Sequence, residues 1–139
     1  MPDGFEATVF HEGVGRARHL AVTPDGAVYV KLRGPVRGQT PAEFKGIVGL
    51  KDTGGDGRAD QVEYFGSYED TGDYGTGMRL YEGYIYFTTA GEVYRQKLTP
   101  GRLVPEAPVE LVLKHNYRQE GRYYEHSAKP TTSDAAGHL

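Results

Sequence analysis

Hydrophobic and polar residues alternate along most of the chain in short runs, and glycine or proline separates the runs. Alternation at a period of two predicts half-buried strands. The first run is 5–11, with Phe5, Ala7 and Val9 on one face. A second lies at 18–22. Thr23-Pro24-Asp25-Gly26 then predicts a tight turn, with proline at its second position and glycine at its last. Strands follow at 27–32, 47–51 and 61–65. The pattern restarts at 78–81 and continues through 84–89, 92–98 and 108–114, with Gly83, Gly91 and Gly101 in the turns. Longer polar stretches occupy 33–45, 66–75 and 115–125. No segment carries convincing helical periodicity.

The strands repeat as a set. Gly26-Ala27-Val28-Tyr29-Val30 returns as Gly83-Tyr84-Ile85-Tyr86-Phe87, 57 residues on, and Gly137-His138-Leu139 begins a third copy 54 residues later. A strand-rich unit of about 50 residues is the mark of a β-propeller blade or a related β-array. The fold expected is therefore all-β, a β-propeller fragment of about two four-stranded blades. The lone strand 5–11 precedes a blade over 16–66 and another over 76–115, and 126–139 opens the next. The early stop in the third copy leads to the expectation that the chain is the front portion of a longer propeller. Strand order places the loops 33–45, 66–75 and 115–125 on one face, where binding and catalysis usually sit.

Composition narrows the picture. The 139 residues include 20 glycines and 11 tyrosines, no tryptophan and no cysteine. With 37% apolar residues, the glycine content points to short strands and turns rather than disorder. Disulfides and thiolate metal sites are excluded. A net charge of −3 argues against a nucleic-acid partner. No stretch approaches the roughly 20 apolar residues of a membrane span, and residues 1–15 lack the regions of a signal peptide.

Four clusters carry candidate chemistry. Asp52 to Glu63 matches the twelve-residue calcium loop, with oxygens expected from Asp52, Asp56, the Arg58 carbonyl, Asp60 and Glu63, and Gly57 at the sharp turn. Gly54 supplies no oxygen at the third position, and the flanks read as strands. The same residues equally describe an acidic turn whose aspartates bond their own backbone. Glu125-His126 opens the third unit, and a histidine there suits proton transfer near neutral pH; a surface histidine is the alternative. Arg16 and Arg18 open the first blade, where arginine can grip a carboxylate or simply line an edge. Asp73-Tyr74-Gly75-Thr76-Gly77 opens the second blade. Its glycines suit either close approach of a flat ligand or a plain turn. Tyr117, Tyr123 and Tyr124 beside Arg118 and Arg122 suggest a sugar- or partner-binding loop.

The stretches GFEATVF, GRARHLAVTPDGAVYVKL and GIVGLKDTGGDGRAD resemble the amino-terminal part of the L-sorbosone dehydrogenase-like proteins, which group with the soluble pyrroloquinoline-quinone (PQQ) sugar dehydrogenases. Those are six-bladed propellers. The family's acidic loop is of the DTDGDGKAD type, from which Gly54 departs. The resemblance implies PQQ-dependent oxidation of a sugar or aldehyde, with His126 as the base and Glu125 as a neighbour of cofactor or base. The family's Arg, Lys, Asn and calcium contacts to the quinone belong to later blades, and its glutamine has no clear counterpart near Tyr74–Gly77. Arg18 and Tyr74 are candidate cofactor-binding positions from their place at the openings of the two blades. The resemblance also implies that the acidic loop is a structural calcium site. An electron-accepting cytochrome and a periplasmic or secreted setting follow from the same likeness. The fragment alone is expected to be inactive. Two other functions remain open: a non-catalytic propeller segment that associates with copies of itself through its open edges, or a calcium-stabilised sugar-binding β-domain.

Overall fold

The computed structural model describes residues 2–34, 45–66, 75, 77–89, 91–114 and 134. These form eight strands and no helix. The strands are β1 (Ala17–Val22), β2 (Val28–Leu32), β3 (Ile47–Lys51), β4 (Gln61–Phe65), β5 (Met78–Tyr81), β6 (Tyr84–Thr88), β7 (Glu92–Lys97) and β8 (Glu110–Lys114). They build two four-stranded antiparallel meanders, β1-β2-β3-β4 and β5-β6-β7-β8. The all-β class and the grouping of strands into two sets of four agree with the alternation of the sequence.

Local chemistry sets the turns. The β1–β2 turn closes as expected. The Thr23 N–H donates to the Ala27 carbonyl at 2.9 Å, the Thr23 hydroxyl receives the Ala27 N–H at 2.9 Å, and Gly26 takes a φ of 84°. Between β5 and β6 only Glu82 and Gly83 intervene, at φ 45° and 77°. Two positive φ values in a two-residue loop make the turn whose twist suits a hairpin.

One expected strand is absent. Residues 5–11 run alongside the first sheet without joining a ladder. The Ala59 N–H reaches the Phe10 carbonyl at 2.9 Å, while Phe10 and Val14 pack on the sheet's outer face. Alternation alone cannot make a strand, which also needs an edge to pair with; here Phe10 packs on the sheet while the alternating residues Phe5, Ala7 and Val9 stay exposed.

Each sheet has two faces because side chains alternate. On the first sheet, Val30, Leu32, Val48 and Leu50 form an outer core under Phe10, Val14 and Ala59. The opposite face carries Tyr29, Ile47 and Phe65. These join Met78, Ile85, Phe87 and Leu103 of the second sheet in the main core. Tyr29 meets Phe65 edge to face at 5.9 Å, and Phe87 stacks on Tyr94 at 5.7 Å. The first strands of the two sheets, β1 and β5, lie against each other.

Candidate functional site

The acidic loop links β3 to β4. Asp52 follows β3 directly, and its carboxylate accepts the Gly55 N–H at 2.6 Å and the Gly57 N–H at 2.8 Å. Gly55 and Gly57 take φ values of 76° and 83°, which turn those N–H groups inward. Asp60 accepts from both the N–H and the hydroxyl of Thr53, at 3.0 and 2.6 Å. Asp56 accepts the Arg58 N–H at 2.9 Å. Each carboxylate therefore faces the loop's own donors. The Gly57 N–H, foremost among several backbone donors, holds the Asp52 carboxyl below its ordinary range; the Thr53 hydroxyl does the same for Asp60.

Glu63, the expected twelfth ligand, belongs to β4 and pairs with Gly49. That is three residues back along β3 from Asp52, or about 10 Å at strand spacing. Among the described residues, no three His, Asp or Glu side chains converge on a common point. Asp52, Asp56 and Asp60 brace the turn through its own donors. Gly54 leaves an opening between two of its carboxylates. A Cβ there would sit 3.8 Å from Asp52 Oδ1 and 3.7 Å from Asp60 Oδ2.

Arg18 lies on β1 and is exposed, at the point where the β1–β2 register shifts between Ala17 and His19. It is on the strand that meets β5. Tyr74, Glu125 and His126 lie outside the described residues, as do Tyr117, Tyr123 and Tyr124.

The two glycines before β5 have a definite role. Gly75 is buried with its backbone on Thr88 and Thr89, where a Cβ would collide with the Thr88 carbonyl and the Thr89 Cα. Gly77 exchanges hydrogen bonds with Thr88: its N–H meets the Thr88 hydroxyl at 3.0 Å, and its carbonyl accepts the Thr88 N–H at 3.0 Å. What approaches the Gly75 backbone closely is the neighbouring strand.

The sequence reading missed two buried polar features. Lys31 on β2 is 2% exposed and donates to the Leu32 carbonyl at 3.1 Å. It sits in an apolar-looking run, VYVKL, and only its place on the inner face of the sheet makes it notable. The Tyr29 hydroxyl donates to the Leu103 carbonyl at 2.9 Å across 74 positions of sequence, a pairing that no local pattern encodes. Burial raises the Tyr29 hydroxyl above its ordinary range, and the Asp25 charge adds to this.

No protein-family model, curated protein or solved structure matches the chain.

Proposed function

We propose that the two sheets are consecutive blades of a β-propeller, and that the assembled propeller oxidises a sugar or aldehyde using PQQ. One observation carries the architecture: two four-stranded meanders stand side by side with their first strands, β1 and β5, in contact. Blades stack in this way around a central axis, with first strands innermost. A ring needs about 4–8 such blades, so others must come from further chain or from other copies.

The chemistry rests on the likeness of GRARHLAVTPDGAVYVKL, the acidic loop and Glu125-His126 to the PQQ sugar dehydrogenases. Among the residues assigned to the cofactor, Arg18 is described and exposed, and its charge suits a quinone that carries carboxylates. When bound, the quinone supplies the hydride acceptor. In this reading His126 receives the proton of the substrate hydroxyl, and Glu125 is a neighbour of the cofactor or base. The acidic loop enters this reading as a structural calcium site, whose carboxylates also brace the turn through its own donors.

The test is a titration of PQQ, with calcium present, into this chain and into His126→Ala, followed by quinone absorbance. Saturable binding that the substitution removes supports the reading. Absence of binding to either protein overturns the quinone assignment for this chain and leaves a propeller segment that serves as scaffold.

A further inference from the structure

The outer edges of the two sheets are unequal in what they offer a second copy of the chain. With β1 and β5 against each other, β4 and β8 are the edges that face away. All five residues of β8 are exposed, and Leu111, Val112 and Leu113 keep 53%, 40% and 51% of their surface. An exposed apolar edge strand is a template for pairing with another chain.

The charges on β8 select the pairing. Antiparallel pairing of β8 with itself, centred on Val112, sets Glu110 of each copy opposite Lys114 of the other and Leu111 opposite Leu113. Both charge contacts are attractive, and the interface is isologous, as two-fold symmetry requires. The same operation on β4 places Glu63 opposite Glu63 on the axis, a like-charge contact that disfavours pairing. Val112 is also the residue that the β7–β8 register shift leaves opposite no residue of β7. Glu110 and Lys114 bond within the sheet, to Arg95 at 2.7 Å and Glu92 at 2.8 Å. Their side chains stay 44% and 65% exposed, so each strand end still presents its charge.

We propose that β8 is a homodimerisation edge, occupied by β8 of a second copy in the register centred on Val112. This goes beyond the quinone reading and does not depend on it.

Sedimentation across a concentration series tests the proposal, with circular dichroism as the check on folding. The native chain is expected to dimerise. Glu110→Lys or Lys114→Glu turns both end contacts repulsive and weakens association on the order of tenfold. An equimolar mixture of the two variants regains it, because every Lys then faces a Glu. Since the chain has no cysteine, Val112→Cys gives an independent readout. Paired strands bring its Cα atoms within disulfide range, so mild oxidation yields a covalent dimer, whereas Val22→Cys does not. A native chain that stays monomeric, association that survives either charge substitution, a mixture that does not associate, or equal cross-linking of the two cysteine variants overturns the proposal.

Discussion

The Tyr29 hydroxyl donates to the Leu103 carbonyl at 2.9 Å, and the Leu103 side chain lies directly over Gly49, beside the Tyr29 ring. Tyr29 and Gly49 are paired across β2 and β3, whereas Leu103 comes from the β7–β8 connection of the second sheet. One residue from the second sheet is therefore held at its backbone by a polar partner and at its side chain by an apolar one in the first. Tyr29→Phe leaves a buried acceptor without its donor, at a cost of about 1–3 kcal/mol. Chemical denaturation of the variant against the native chain measures it.

Gly49→Ala tests the apolar half of that contact. A Cβ at position 49 meets Leu103 Cγ at 2.8 Å. Overpacking of this kind costs about 1–3 kcal/mol. In a Leu103→Ala background the same change becomes much milder, because the two Leu103 atoms are gone and only Tyr29 Cε1, at 3.3 Å, still crowds the site. A double-mutant cycle reads the difference, and additive effects would contradict the contact.

Gly75→Ala is expected to be far worse. The obstacle is the Thr88–Thr89 backbone, which has no rotamer to yield. The loss falls in the exceptional range beyond about 4 kcal/mol. Soluble yield and protease resistance report it, and a variant as stable as the native chain would refute the packing.

Acid stability depends on the 52–60 loop. The carboxyls of Asp52 and Asp60 are held below their ordinary values, so the unfolded chain binds these protons more tightly than the folded one. Their stabilisation is complete above the unfolded value of about 3.9 and is lost as pH falls through the lower folded value. Asp52→Asn is expected to lower stability at neutral pH and to flatten the acid limb of the stability profile. Unfolding midpoints measured from neutral pH downward check both parts.

Gly54→Asp is expected to enlarge the calcium response. Its carboxylate enters between those of Asp52 and Asp60, since the Cβ position is 3.8 and 3.7 Å from their oxygens. Without a cation the added charge is repelled and Tm falls; with calcium the third ligand of the loop is restored and Tm rises. Melting in calcium and in chelator separates the two. An equal calcium shift in the native chain would refute the added ligand.

Much of the fold was legible locally. Alternation located all eight strands to within one or two residues, and Thr23-Pro24-Asp25-Gly26 and Glu82-Gly83 mark turns through the φ values that glycine alone adopts easily. These are short-range properties of the backbone, set by neighbours in sequence. Tertiary structure decided what depends on a partner. Residues 5–11 alternate like a strand yet join no ladder; Phe10 packs on the first sheet while Phe5 and Val9 stay exposed. Asp52 and Asp60 stand at calcium-ligand spacing and also brace their own loop, Asp52 through the Gly55 and Gly57 N–H groups and Asp60 through the N–H and hydroxyl of Thr53. Gly75 is a glycine for the sake of Thr88 and Thr89, and Tyr29 is a tyrosine for the sake of Leu103, a residue 74 positions away. The sequence by itself determines periodicity, turns and the charge on each edge; the meeting of the two sheets decides which side chains find partners, because burial and hydrogen bonding are properties of contacts and not of residues.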